Sequence, residues 1–338
     1  MITRIVTTSM TREEWLAERR KSLGGSDIGG VLGMSSWSSP FSVWAEKTGK
    51  VPDKPDTEAM RIGRDLEDYV AKRFTEASGY QVKRVNSIIR NDKFPHLHAN
   101  IDRRIVGTVL GDPAGLECKT ASAFATKRYI SGEFPPNYYA QCVAYMAVTE
   151  YPRWFLAVLI MGREFKIYGL TTCPDDPPCP SWCESMVYVS PEEIEALKET
   201  AIHFWRAYVL TNTPPPVDGT DPTSGTLTQM YPGGDSQTIS LFGMDDLPGE
   251  YLRLQKQKKG IEKEQEKIKQ ALMEEMEDAE SAECADGRFR ITWKSQERKA
   301  FSAALFRADH PEIDLSPYYS VSKSRVMRIM GHKEEAEE

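Results

Sequence analysis

The sequence predicts an α/β chain in which a mixed central sheet is flanked by helices. Three observations carry this. Strand-like runs at 80–85, 87–90, 97–106 and 115–120 follow a long amphipathic helical stretch over 57–77. A second helical stretch at 136–149 separates them from a hairpin, 154–161 and 164–170, turned on Gly162-Arg163. The length, 338 residues, exceeds one typical domain and suits two. Helix, strands, helix and strands in that order put helices against a sheet of parallel and antiparallel neighbours.

Taken in order, Thr11 caps a first helix, with Glu14 at the capping-box position, and the helix runs to about Lys21. Leu23-Gly24-Gly25-Ser26-Asp27-Ile28-Gly29-Gly30 follows. Ser26 reads as the N-cap of a short helix, with glycines that let an anion approach the amides. A flexible turn between helices reads equally well. Ser39-Pro40 opens a helix through Phe41, Val43 and Trp44 to Lys47, and 50–55 is a polar loop. In 57–77 the residues Met60, Gly63, Leu66, Val70 and Phe74 form one apolar stripe, with Glu67 beside it. Gly111-Asp112-Pro113 turns the chain between strands. Tyr139, Val143, Met146 and Ala147 are expected to face inward from 136–149. Ile194, Leu197, Ala201, Phe204 and Tyr208 line one side of a helix over 191–210.

This divides the chain into residues 1–210, a Pro/Gly-rich linker over 211–245, and a C-terminal extension, 246–338, made of a charged long helix and a small α+β domain. In that helix Leu254, Ile261 and Ile268 recur every seven residues, a narrow coiled-coil-like seam for its own chain or a partner. Near the end, Phe289, Trp293, Phe301 and Tyr319 interleave with Arg290, Lys294, Arg298, Arg325 and Arg328. That pattern can grip nucleic acid; it also suits a small self-contained core with a solvated face.

A hydrophobic content of 40% marks a globular protein, and a net charge of -7 excludes a wholesale nucleic-acid coat while leaving room for a local basic groove. No apolar run approaches the roughly 20 residues of a membrane span, and the N-terminus lacks a signal-peptide segment. Six cysteines are then expected as reduced cytosolic thiols. Cys173, Cys179 and Cys183 crowd a proline-rich insertion. They lack a fourth partner and paired CxxC spacing, so an unligated loop is expected there rather than zinc or an iron–sulfur cluster. His96 and His98 are expected at the surface or in the core.

The chemistry concentrates in Gly115-Leu116-Glu117-Cys118-Lys119-Thr120. Strand side chains alternate, so Glu117 and Lys119 share a face. Fifteen residues earlier, Asn100-Ile101-Asp102 ends another strand-like run. Hard carboxylate oxygens hold Mg²⁺, which activates water and neutralises charge on a scissile phosphate, and a nearby lysine orients or helps deprotonate that water. An Asp followed by Glu-x-Lys is the acidic core of the PD-(D/E)xK nucleases. E-x-K alone is also a common salt-bridging strand face.

A longer ordered set is more specific. Trp15-x-x-x-Arg19, Gly24-Gly25-Ser26-Asp27 with Gly33, Gly63-x-x-x-Glu67, Asn100-Ile101-Asp102, Glu117-Cys118-Lys119 and Gln141-x-x-x-Tyr145 occur in one order. Over roughly residues 11–170 the chain resembles the YqaJ-type viral recombinase nucleases, the family of phage lambda exonuclease. Its C-terminal region resembles, with weaker motifs, extensions of Gram-positive phage and prophage members.

The resemblance implies a PD-(D/E)xK restriction-endonuclease-like core. It implies Mg²⁺-dependent resection of linear double-stranded DNA, 5′ to 3′, leaving a 3′ overhang for a phage single-strand annealing protein. Mn²⁺ is expected to substitute. The setting it implies is the host cytoplasm, from a phage or prophage gene, as a homo-oligomer in a ring of three without membrane attachment. Carried over by residue, Asp102, Glu117 and the Cys118 carbonyl hold metal, and Glu67 approaches a second ion. Lys119 addresses the water, and Gln141 steadies that water or a phosphate. Arg19 and Ser26 match positions that bind a 5′-terminal phosphate. Asn100 and Tyr145 match DNA-contacting positions. Where lambda exonuclease has an arginine after the E-x-K strand this chain has Ala125, with Lys127 and Arg128 close by. Two other readings are an endonuclease or Cas4/AddB-like iron–sulfur nuclease on the same core, and a non-catalytic DNA-binding module built on the C-terminal region.

Overall fold

The computed structural model describes residues 1–107, 111–124, 129, 132–176, 179–320 and 325–331. It divides into two units, Met1–Tyr231 and Pro232–Glu338.

In the first unit, β1 (Ile2–Val6) leads into α1 (Arg12–Arg20). The capping box is reciprocal: Glu14 N donates to Thr11 Oγ1 at 3.2 Å, and Thr11 N donates to Glu14 Oε2 at 2.8 Å. Two residues of strand, β2 (Leu23–Gly24), join it to the short α2 (Gly25–Val31), and α3 (Pro40–Lys47) follows. The long α4 (Glu58–Ser78) starts on the Thr57 cap and stops at Gly79, whose φ of 74° ends it in the left-handed region. The helix buries only Val70, Ala71 and Phe74; Met60, expected inward, is exposed.

The strands are β3 (Gln81–Arg84), β4 (Ser87–Asn91), β5 (Leu97–Asn100), β6 (Arg103–Val106), β7 (Ala114–Ala121), β8 (Arg153–Ile160), β9 (Glu164–Thr171) and β10 (Ser185–Tyr188). They form two sheets, not one. The six-stranded sheet runs β10-β9-β8-β7-β6-β3, with β9/β10 and β7/β8 parallel and the rest antiparallel. The four-stranded sheet runs β1-β4-β5-β2. The run at 97–106, expected as a single strand, breaks at Ile101-Asp102, and its partner breaks between β3 and β4. Both strands pass from one sheet to the other together, and Val85 N still donates to the Asp102 carbonyl across the gap at 3.3 Å. Asp102 therefore sits on a corner.

The two faces of the large sheet are covered differently. On one face α4 packs against β7, and Phe74 meets Phe155 and Trp182 at ring distances of 5.6 and 6.1 Å. Against the other lies α5 (Pro136–Thr149), which also packs on β4, β5, α2 and α6 (Pro191–Phe204). From Ala140 to Thr149 every residue of α5 is buried, so it is a core helix rather than the half-exposed one its pattern suggested. The helix over 191–210 is α6 continued by a π-helical turn, Trp205–Val209. Within the stretch read as linker, α7 (Asp221–Met230) packs on α3, and Thr223 Oγ1 donates to Ser39 Oγ at 2.8 Å.

The second unit holds α8 (Asp246–Met276), the hairpin β11 (Ser281–Glu283) with β12 (Arg290–Thr292), and α9 (Ala303–Asp309). Met276 is the one fully buried hydrophobic residue among its described positions; Phe289, Trp293, Phe301 and Tyr319 are all exposed. The small self-contained core, one of the two readings of that stretch, is not formed among the described residues.

Gly115 explains how β7 and β8 lie so close beside α5. A Cβ at that position would stand 2.3 Å from the Trp154 ring, which is itself fully buried. Gly115→Ala is expected to destabilise the protein by about 1–3 kcal/mol through overpacking. The check is the urea unfolding midpoint, which should fall with an unchanged slope.

Candidate active site

Strand alternation on β7 sorts the E-x-K residues. Cys118 turns toward the cluster formed with α4, where burial pushes its thiol well above the ordinary range. Glu117 and Lys119 turn to the α5 face. There Lys119 Nζ donates to Glu117 Oε1 at 2.5 Å, and Gln141 Nε2 donates to the same oxygen at 2.6 Å. Gln141 also donates to the Tyr145 hydroxyl at 2.9 Å, the i to i+4 contact their spacing allows. At the strand break, Asp102 Oδ2 accepts the Cys118 N–H at 2.8 Å, which ties the corner to the E-x-K strand.

The electrostatics follow from burial. Asp102 is pushed well above the usual carboxylate range, first by burial and then by the charge of Glu117, with Lys119 opposing. Burial alone would lower the Lys119 amine, but Glu117 and Asp102 hold it well above its ordinary value. Glu117 Oε2 is buried with no hydrogen-bond partner among the described residues. An orphaned buried carboxylate oxygen beside a second, half-buried carboxylate is a donor set that a hard divalent cation fits.

Glu67 stands close enough for its charge to act on Asp102, but an ion pair occupies it. It is bound by Arg103, and Arg84 stands 3.5 Å from the same oxygen. Arg103 is buried on the α4 side, donates to the Asp102 carbonyl at 2.8 Å and pairs with Asp68 at 2.6 Å. Among the described residues no group of three metal-ligating side chains is gathered, at these carboxylates or at Cys173, Cys179 and Cys183. In the insertion, Cys179 Sγ donates to the Cys183 carbonyl at 2.9 Å and Cys183 Sγ to that of Ser185 at 3.2 Å.

Arg19 and Ser26, seven residues apart, meet: Arg19 Nη2 donates to Ser26 Oγ at 3.0 Å. The helix start differs from expectation. Gly24 is the N-cap, Ser26 sits in the first turn, and Asp27 is the residue whose Oδ2 accepts the Gly24 N–H at 2.7 Å. Ser26 is thereby left exposed while Arg19 lies over the Trp15 ring, 4.5 Å from its centroid. Beneath them Lys47 Nζ pairs with Asp27 Oδ2 at 2.6 Å and donates to the Arg19 carbonyl at 3.1 Å. This brace was not read from the sequence, where Lys47 marks only a helix end. His98 beneath is a core histidine: buried, 2.9 Å from Ser22 Oγ through Nδ1, and lowered to about 3 mainly by burial.

A cleft of about 230 Å³ runs between the two groups, lined by Ser26, Trp37, Lys119, Tyr138 and Gln141 among others. Tyr145 is not in it. At 3% exposure it is buried rather than open to DNA, contrary to expectation, because its ring is sandwiched between α2 and β8: it packs on Gly25, where a Cβ would lie 2.5 Å from the ring, and on Trp154 at 5.2 Å, and it holds Gln141. Asn100 ends β5 half-buried, its Oδ1 unpartnered among the described residues. Lys127 and Arg128 lie outside the described residues.

Asp27 makes this corner sensitive to acid. Burial opposes its ionisation, but Lys47 and Arg19 bring its pKa from 3.8 to about 2. A depressed folded pKa stabilises above the unfolded pKa and is lost as pH falls toward the folded one. The contribution is about 2 kcal/mol above pH 5, with roughly half gone by pH 3. Urea unfolding of wild type and Asp27→Asn should show a stability gap at pH 6 that narrows at pH 3.

A model of the YqaJ-like viral recombinase domain matches residues 14–152. Two crystal structures of the alkaline exonuclease LHK-Exo from Laribacter hongkongensis, one in complex with dAMP, align with 60% of this chain and 94% of theirs. Their identity is 16% and their TM-scores are 0.46 and 0.43. The uncharacterized protein YqaJ of Bacillus subtilis (strain 168) is 32% identical over 332 residues, which is 97% of this chain and 96% of that protein. With a relative matched along nearly its whole length and the domain match inside it, the chain belongs to the YqaJ-like viral recombinase family.

Proposed function

We propose that this nuclease of the viral recombinase family is a Mg²⁺-dependent exonuclease that resects linear double-stranded DNA 5′ to 3′ for single-strand-annealing recombination. The observation that carries the proposal is the pair of half-buried Asp102 and buried Glu117, with Glu117 Oε2 unpartnered among the described residues and Lys119 and Gln141 bonded to Oε1. Asp102, Glu117 and the Cys118 carbonyl would hold the cation, Mg²⁺ or Mn²⁺. When bound, a divalent cation polarises the phosphate and lowers the pKa of water. The side chains do the rest. Lys119, kept protonated and opening on the cleft, donates hydrogen bonds to a water or a phosphate oxygen. Gln141 has both N–H donors engaged, so its Oε1 is the atom left to accept from that water. Glu67, paired with Arg103, acts in this reading by fixing the Asp102 backbone, since Arg103 also binds the Asp102 carbonyl.

The Arg19–Ser26 contact supports an end-recognition pocket. An arginine braced from below and a serine hydroxyl open on the cleft suit a terminal phosphate, and the cleft leads from there to Lys119 and Gln141. A phosphate at one end and a reacting centre at the other would confine cleavage to a chain terminus. The family resemblance extends the proposal to double-stranded DNA ends as substrate, an annealing protein as partner, a ring of three as assembly and the host cytoplasm as setting. In the described residues no helix is long and apolar enough to cross a membrane.

The test is release of nucleotides from linear duplexes bearing a 5′-phosphate or a 5′-hydroxyl, and from a closed circle. Wild type should digest only the linear forms, with Mg²⁺ and not with EDTA. Glu117→Ala should lower the rate about 10³-fold or more while circular dichroism stays unchanged. Digestion of the circle at the linear rate would contradict an exonuclease, and near-normal turnover by Glu117→Ala would remove this site. Arg19→Ala should slow 5′-phosphorylated ends about 10- to 100-fold, the worth of a charge-assisted hydrogen bond, and 5′-hydroxyl ends much less. Equal slowing of both ends would place phosphate recognition elsewhere.

A further inference from the structure

We infer that α8 is a self-association helix that pairs antiparallel with α8 of a second copy of this chain. Its 31 residues carry Leu247, Leu254, Ile261 and Ile268 every seven residues, with Tyr251 and Leu272 at two of the intermediate seam positions and the polar Lys258 and Gln265 at the others; all six apolar side chains are exposed, Ile261 and Ile268 each at 62%. A seam of this kind on an unpartnered helix is half of a coiled coil. Charge decides the partner. From Arg253 to Lys259 there are four basic residues and no acidic one; from Glu274 to Glu277 there are three acidic residues and no basic one.

That distribution works against the helix on its own. Carboxylates in the last turn sit beside the partial negative charge of the helix C-terminus, and α8 has no basic residue in its last turn. Its intrahelical ion pairs, such as Lys267 with Glu264 at 3.0 Å, are exposed and worth little. A second α8 running the opposite way relieves the conflict, because each basic half meets an acidic end. In one register, which overlaps the two helices over 257–276, Lys258 stands opposite Glu275, Ile261 opposite Leu272, and Gln265 opposite Ile268, while Leu247, Tyr251 and Leu254 lie beyond the overlap. A parallel pair would instead set Lys258 against Lys258 in the seam. An antiparallel pair is also isologous, so it closes at two copies.

The experiment is the particle mass of the full chain by sedimentation at fixed protein concentration. A ring formed elsewhere in the chain would multiply every variant's mass alike, so the ratio between variants is the readout. Lys258→Glu with Lys259→Glu should halve the mass, and so should Glu274→Lys with Glu275→Lys. Ile261→Asp with Ile268→Asp should also halve it. All the substituted side chains are exposed, so the fold should stand. Combining the two charge pairs, four substitutions in one chain, should restore the wild-type mass. Equal masses throughout would overturn the inference. Halved masses that the fourfold variant does not restore would overturn the antiparallel arrangement and point to a different occupant of the seam.

Discussion

Two carboxylates held side by side, the half-buried Asp102 and the buried Glu117, set the terms for everything around them. Asp102 resists ionisation there, first because it is removed from water and then because the Glu117 charge lies beside it. The fold supplies compensation from three groups on two elements: the Cys118 N–H and the Lys119 ammonium, both of β7, and the Gln141 amide on α5. One oxygen of Glu117 is still left without a donor. A core built for stability alone would pair that oxygen or replace it with a methyl group.

The architecture serves this arrangement. The break that turns 97–106 into β5 and β6 lets Asp102 leave the strand and reach the backbone of β7. Arg103, the next residue, goes to the other side of the sheet and anchors the corner to α4 through Glu67 and Asp68. On the far wall of the cleft, the Lys47–Asp27 pair does the same for Arg19 and Ser26. Both ends of the cleft thus have a polar brace behind the groups that face it. Tyr145 links them mechanically, bonding Gln141 at one side and lying on Gly25 at the other.

Much of this was legible in the residue pattern, and what was not has a common cause. Period-two alternation correctly put Glu117 and Lys119 on one face, and the i to i+4 spacing joined Gln141 to Tyr145. The Arg19–Ser26 contact followed from the helix break between them. Alternation reports faces and not partners, however, so the passage of 97–106 between two sheets left no mark. The same limit hid the burial of Tyr145, which depends on α2 and β8 closing on its ring through Gly25 and Trp154. Glu67 stands beside an apolar stripe as expected, but its partner Arg103 became visible only once the strand break fixed where that guanidinium points. Lys47 and Asp27 lie on different helices, and nothing local joins them. β1 and β10 are short edge strands with little burial, and α7 is a helix too weakly patterned to stand out from its linker-like surroundings.

The central claim is that the Asp102–Glu117 pair is a metal site held ready by Lys119 and Gln141. Crystals soaked in Mn²⁺ and measured at the manganese absorption edge test it most directly. The account predicts an anomalous peak in contact with Asp102, Glu117 and the Cys118 carbonyl, with the Lys119–Glu117 bond lengthened. A clean map at that position under saturating Mn²⁺, with Lys119 and Gln141 still on Glu117 Oε1, would contradict it.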